Sequence, residues 1–187
     1  MAIPREIGIL DISGKYQLNK ALSDETDEIL RLQGIPWIKR KAVRVASVYL
    51  AVKHSTNADG VERIETKQTL TGGVGGNVEN RILDWERREV DDPLFGQLIA
   101  RSRRTPLDEL DKDWLKQGWT DEVKEHGIVV TRVEGNPAKG GKKWAMEQTW
   151  GFEEIDGERR CARHLDFLGP DGEKVRARLV YDYQGTL

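Results

Sequence analysis

Three histidines, one cysteine and four tyrosines are the side chains from which proton transfer or nucleophilic attack would have to be built. His164 and Asp166 stand two apart, so on an extended chain they share a face. An imidazole oriented by a carboxylate can act as a general base. The same spacing gathers Arg160, Ala162, His164 and Asp166 into a row that reads more readily as solvent-facing. Cys161, Arg163, Leu165 and Phe167 then turn inward, and Arg163 becomes a buried cation in need of a partner or of an anionic group on a ligand. Cys161 has no Cys-His motif around it and reads first as a small strand side chain, second as a nucleophile. His126, Tyr16, Tyr181 and Tyr183 complete the acid-base candidates, and none is assigned a catalytic role. No Ser-His-Asp arrangement and no well-placed carboxylate pair stand out. His54, His126 and His164 are too dispersed for metal-ligand spacing, so neither a metal nor a cofactor is expected. The glycine-rich stretch Gly72–Gly76 lacks the Lys-Ser/Thr of a phosphate loop and the spacing of the dinucleotide fingerprint. It reads as a flexible turn between strands.

The segment from Trp144 to Phe152 offers a different chemistry. Period two puts Trp144, Met146, Gln148, Trp150 and Phe152 on one face, with small or polar residues on the other. Such a face lines a cavity or packs a core. As a cavity wall, two tryptophans, a methionine and a phenylalanine make a broad polarizable surface for a flat or polycyclic molecule.

The elements that must position these residues are mostly strands. Ile9 to Asn19 is the first, followed by a short helix through Asp27 to Leu32 with Ser23 and Asp24 as candidate caps, stopped by Gly34. Pro36 opens a second helix whose Trp37, Ile38, Ala42 and Val45 form an apolar stripe beside basic Lys39, Arg40, Lys41 and Arg44. Strands over Ser47–His54, Val61–Leu70, Val78–Glu89 and Leu94–Arg103 come next, with turns at Asn57–Gly60 and Asp91–Pro93. On the second of these, Ile64, Thr66, Gln68 and Leu70 share one face. Thr105-Pro106-Leu107-Asp108 has capping-box spacing, and Leu107, Leu110 and Trp114 fall at helical intervals, so 105–118 is expected to be one inserted helix. Trp114 and Trp119 would make it a lid over the barrel or a staple to its wall. The last strands are Gly127–Glu134, Lys143–Ile155, Arg159–Leu168 and Glu173–Tyr183. About ten antiparallel strands in hairpin order close best as an up-and-down barrel, and the 187 residues show no internal boundary or repeat.

Thirty basic against thirty-two acidic residues leave no basic excess for nucleic acid. No stretch is long and apolar enough to cross a membrane, and the start, with Arg5 and Glu6, carries no secretory pattern. A lone cysteine suits a reducing, cytoplasmic setting.

With this order of elements the chain resembles the intracellular fatty-acid-binding protein family, a branch of the calycin (lipocalin-like) barrels, as a divergent fungal-type member. The resemblance is carried by Ile12-Ser13-Gly14-Lys15-Tyr16-Gln17-Leu18, by Gly34-Ile35-Pro36-Trp37-Ile38-Lys39-Arg40-Lys41-Ala42, by Phe152-Glu153-Glu154-Ile155-Asp156-Gly157, and by Arg176-Ala177-Arg178-Leu179-Val180-Tyr181. Proteins of filamentous fungi, some in specialised metabolism, are similar in the same way. The resemblance implies one barrel over 1–187, a helix pair over 24–46 at its mouth, and a small hydrophobic ligand inside. The basic face of the second helix is then either solvated or meets an anionic membrane surface. The family holds a carboxylate with an arginine and a tyrosine two apart on the last strand, whereas here Arg178 and Tyr181 are three apart. Either Arg178 faces inward with Val180, or Tyr181 does with Leu179 and Tyr183. The family's second anchoring arginine falls near Phe152. The expected ligand-binding set is therefore Tyr16, Trp37, Trp144, Met146, Gln148, Trp150, Phe152, Arg163, Arg178 and Tyr181. The chain is expected to bind a small hydrophobic or amphipathic molecule. The alternative is a cofactor-free cyclase, isomerase or dehydratase of fungal specialised metabolism, working by orientation in the same cavity.

Overall fold

Alternating polarity between turn signals resolves into ten antiparallel strands in the computed structural model, which describes residues 1–71 and 77–187, Asn77 by its backbone alone. The expected turn at Gly72–Gly76 lies outside the described residues. The strands are β1 (Gly14–Leu18), β2 (Val48–Thr56), β3 (Glu62–Leu70), β4 (Asn77–Ile82) and β5 (Arg88–Asp92). They continue with β6 (Gly96–Thr105), β7 (Ile128–Gly135), β8 (Ala145–Ile155), β9 (Glu158–Leu168) and β10 (Lys174–Gly185). Each pairs with its chain neighbours, except that β1 also pairs with β10, and β4 and β5 form the two edges of the one sheet. The sheet therefore curls into a barrel whose seam lies between two consecutive strands, crossed by an isolated bridge from Asp84 to Arg103.

The expected strand Val78–Glu89 is broken in two. Trp85 turns to φ 64°, its N–H donates to the Ser102 carbonyl at 2.8 Å, and its ring lies under the Arg101 and Arg103 guanidinium groups at 4.3 and 4.9 Å. Cation–aromatic contact and one backbone bond hold a corner that propensity alone would not place there.

After β1 come helices α1 (Asp27–Leu32) and α2 (Trp37–Val45). Helix α1 buries Ile29 and Leu32 in a cluster with Leu98, Trp144, Leu165, Phe167 and Ala177. Helix α2 buries nothing, and its apolar stripe leaves Trp37, Ile38 and Val45 exposed. Ser23 and Asp24 cap no helix. The Ser23 hydroxyl accepts the Val180 N–H at 2.8 Å and Asp24 accepts that of Arg178 at 2.7 Å, fastening this loop to β10.

Residues 105–118 do not make one helix. They form a single 3₁₀ turn, Leu107–Glu109, and the short α3 (Asp113–Lys116), and a further helix, α4 (Asp121–His126), follows. The Thr105 hydroxyl donates to Glu109 at 2.7 Å in place of a capping box. The whole insert lies on the outer wall of β8 and β9. The Trp114 indole donates to the Leu165 carbonyl at 3.1 Å, the Thr149 hydroxyl to that of Leu115 at 3.2 Å, and the Thr120 N–H to that of Phe152 at 3.0 Å. Gly118 is at φ 81°, and a Cβ there would meet the Glu153 carboxylate at 2.6 Å, so close approach and backbone hand both demand glycine.

Candidate functional site

Strand register decides which side chains meet inside. Phe152, Cys161 and Tyr181 are direct cross-strand partners, as are Trp150, Arg163 and Leu179, and then Gln148, Leu165 and Ala177. Tyr16 opposes Tyr183 on the far side of the closing pair. Tyr181 therefore faces inward, and Arg178 points outward, where its guanidinium approaches Glu153 at 3.5 Å. This corrects the inclusion of Arg178 in the interior set, and it follows from their odd separation in a strand. Trp37 is 66% exposed on α2 and is not an interior residue either.

The other eight expected residues face inward at three levels. Tyr16 and Phe152 pack with Ile12, Val52, Ile64 and Val129 toward one end, in a cluster that also takes in Trp150, Cys161 and Tyr181. The Tyr16 hydroxyl donates to the Ile12 carbonyl at 2.8 Å. Trp144 stacks on Phe167 at 5.8 Å and packs with α1 at the opposite end. Met146 and Gln148 lie along β8 toward that end. Between them, Trp150, Arg163 and Tyr181 come together. The Arg163 guanidinium carbon lies 3.9 Å over the Trp150 ring and 5.4 Å over that of Tyr181. The Trp150 indole donates to Cys161 Sγ at 2.7 Å.

Two residues of this middle level were missed in the sequence, Arg81 and Glu79. They pair with each other, and Arg81 lies 5.6 Å from the Trp150 ring. Glu-x-Arg on a strand looks like an ordinary solvated face. The signal that would have found them is register: Arg81 opposes Ile64 and Glu79 opposes Thr66, both on the one face that alternation already groups in β3. Glu79 sits on edge strand β4 and keeps 40% of its side chain accessible, so water reaches the inner face along that edge.

The electrostatics of this level keep its thiol and phenol neutral and its one carboxylate charged. Burial pushes the Cys161 thiol up to about 12, against the indole bond and Arg163, so the nucleophile reading of Cys161 fails. Burial likewise raises Tyr181, with Arg163 opposing. Burial would raise Glu79, but Arg81 and Arg163 hold it below the usual carboxylate range. Burial lowers Arg81, with Glu79 opposing. Arg163 Nε and Nη2, Arg81 Nη1 and Thr66 Oγ1 are buried without a hydrogen-bond partner among the described residues. Several buried, preorganised donors converge here, an arrangement able to polarise an oxygen of a bound molecule.

The His164 row is not solvated as expected. His164 is 2% exposed beneath the insert, stacked between Trp114 at 4.7 Å and Trp119 at 4.4 Å. Its Nδ1–H donates to the Trp114 carbonyl at 2.9 Å, and Nε2 is hydrogen-bonded to Glu153 Oε1 at 2.5 Å. Its carboxylate partner is Glu153, on the same outer wall, while Asp166 pairs with Lys112 and Arg176. Sealed from the interior, this pair fastens the insert, and the two tryptophans are staples of the wall. His54 is held at the packed end by Glu62 at 2.9 Å, and His126 is exposed at the end of α4. No group of three metal-ligating side chains occurs among the described residues. An outer hollow of about 620 Å3 lies beside Lys112, Phe167 and Arg176, and one of about 150 Å3 beside Arg87, Arg101 and Arg132. Neither holds any of the ten residues expected to bind ligand.

No protein-family model matches the chain. It is 32% identical to "Probable pericyclase scpY" of Mollisia scopiformis, over 98% of this chain and 95% of that protein. It is 31% identical to "Pericyclase pydY" of Acremonium sp., over 99% and 98%. Among solved structures it is similar to lipid binding protein 8 of Caenorhabditis elegans, with TM-score 0.58 at 13% identity over 92% of this chain and 94% of that one. It is also similar to the REP1-NXSQ fatty acid transporter, with TM-score 0.55 at 12% identity over 94% and 98%. At such identity these structures establish the fold alone: a calycin barrel of fatty-acid-binding type.

Proposed function

The chain belongs to the family of the fungal pericyclases scpY and pydY, and we propose that it is itself a pericyclase, closing a ring in a flexible unsaturated molecule held inside the barrel. One observation carries the reading within the molecule: Arg163, 7% exposed on the inward face, presents two unpartnered N–H donors beside the flat face of Trp150. A pericyclic step moves π electrons around a cyclic transition state and needs no nucleophile or proton relay. It needs the reacting ends held together, and it gains from hydrogen bonds that draw electron density from a conjugated carbonyl. Trp150, Tyr181 and Met146 offer the surface against which such a chain folds, while Arg163 and Arg81 receive its oxygen. Cys161 and Tyr181, both kept protonated, fit a site that does no covalent chemistry.

The reading includes a setting: a cytoplasmic protein of specialised metabolism that takes a small hydrophobic or amphipathic substrate and no nucleic acid. The free, buried Cys161 is compatible with a reducing compartment. No helix among the described residues is long and apolar enough to cross a membrane. The basic residues of α2, with Trp37 and Ile38 exposed beside them, suit transient contact with an anionic surface.

A second reading, a carrier that binds the same molecule unchanged, draws support from the fold and from a neighbour, the Schistosoma mansoni fatty acid binding protein in complex with arachidonic acid. Chromatography with mass detection separates the two. Ring closure yields a product of unchanged mass and new retention time, whereas a carrier returns its ligand as it was.

A further inference from the structure

Among the described residues, the charges that face one another at the middle of the barrel do not balance. At the packed end, Arg104 makes a two-pronged pair with Glu62, whose other partner is His54. At the middle level Arg81 is matched by Glu79. Among the described residues Arg163 makes no ion pair of its own: it shares the field of Glu79 with Arg81, and what lies against it is the ring of Trp150, the phenol of Tyr181 and the Cys161 thiol, all uncharged. The stretch 72–76 is Gly-Gly-Val-Gly-Gly, so it holds no ionisable side chain that could supply the missing charge. Among the described residues of this level two guanidinium groups therefore share one carboxylate, and one positive charge is in excess.

We infer that the molecule bound at this level is an oxyanion: an apolar, flat or chain-like body bearing a carboxylate, an enolate or a group of like chemistry, with Arg163 as its counter-ion and Arg81 and Thr66 as supporting donors. A neutral carbonyl would satisfy the free N–H groups and leave the charge buried and unpaired. An anion does both. The anchor differs in place from the arginine–tyrosine arrangement of the last strand, because here Arg178 faces outward and the cations come from β4 and β9. The inference rests on the barrel interior being the substrate site, as proposed above, and not on the reaction performed there.

The test compares anilinonaphthalene sulfonate with its uncharged parent, phenylnaphthylamine, by calorimetric titration of the intact protein. The expected result is one-to-one binding with the sulfonate favoured roughly tenfold or more, the size of one charge-assisted hydrogen-bonded contact. Arg163→Met weakens the sulfonate alone and brings the two probes within about twofold, while Arg163→Lys retains part of the preference. Equal or tighter binding of the parent to the wild type overturns the inference, as does binding of neither probe or an equal loss of both in Arg163→Met. Should that variant not fold, the wild-type preference decides alone. Ring closure by a protein without charge preference sinks this inference and leaves the pericyclase reading. A charge preference without ring closure does the reverse.

Discussion

Trp150 and Arg163 are direct cross-strand partners on β8 and β9, and the guanidinium carbon of the second lies 3.9 Å over the ring of the first. Two strong hydrogen-bonding side chains are thus locked by backbone register, with donors left over. Such a contact costs folding free energy unless a ligand completes it.

The first prediction concerns that cost. Arg163→Met keeps the length of the side chain and removes the buried charge, so the ligand-free variant should be more stable than wild type by about 1–2 kcal/mol. Chemical unfolding of both proteins measures it. A clear loss of stability would mean that Arg163 has a structural partner unaccounted for here.

Trp150 and Phe152 are neighbours of one face with different work. Phe152 is fully buried at the packed end with Arg159 over its ring at 4.5 Å. Phe152→Ala should cost about 3–5 kcal/mol of stability and spare affinity in the protein that remains folded. Trp150→Ala should lower stability comparably and also weaken binding of an aromatic ligand at least about tenfold, since stacking area and the Arg163 platform go together. Titration of both variants with one probe checks this, and equal affinities would displace the site from Trp150.

His164 is one of the acid-base candidates of the sequence, and its burial beside Glu153 predicts a structural role. His164→Ala leaves the buried Glu153 carboxylate with Arg178 alone at 3.5 Å and should destabilise by about 3 kcal/mol. Hydrogen exchange should rise across residues 107–126, with turnover of the folded protein unchanged within about twofold. Turnover lost at unchanged stability would restore His164 to the chemistry.

Glu62 predicts a pH signature. Burial works against its charge, but hydrogen bonds from Arg104 and His54 bring it down from 4.5 to about 2. A carboxylate depressed on folding adds stability above its unfolded value, and that stability is lost as pH falls from there toward about 2. Unfolding free energy measured between these limits should fall with acid in the wild type and flatten in Glu62→Gln. An unchanged acid limb would show that another group sets it.

Helix α2 has no buried residue, so Trp37→Ala should change stability by less than about 0.5 kcal/mol. Sedimentation with anionic phospholipid vesicles should nonetheless fall for Trp37→Ala and for paired charge reversal of Lys39 and Lys41. Wild-type protein that stays in the supernatant removes membrane contact from the account.

Much of the barrel was legible because period-two alternation and hairpin turns are local signals. The inward faces of β8 and β9 followed from that alternation alone, and for β3 it grouped Ile64, Thr66, Gln68 and Leu70 on one face without saying which way that face turns. What failed depends on contacts distant in sequence. The corner at Trp85 is held by Arg101, Arg103 and Ser102 from another strand. The insert is held by groups on β8 and β9 that cover His164, so a row with polar spacing became a buried one. Arg178 and Tyr181 could not be decided by spacing alone, and the hydrogen-bonded register of β10 against β9 decides them. Arg81 and Glu79 escaped notice because one strand does not reveal which of its faces a neighbour will bury.

The most direct measurement incubates purified wild-type protein and Arg163→Met with a small-molecule extract of the organism that makes it, followed over time by chromatography with mass detection. The expected result is that one compound is consumed by the wild type and replaced by an isomer of identical mass, with the rate at least about tenfold lower in Arg163→Met. A compound that binds and is recovered unchanged, or an isomer formed equally fast by the variant, would contradict it.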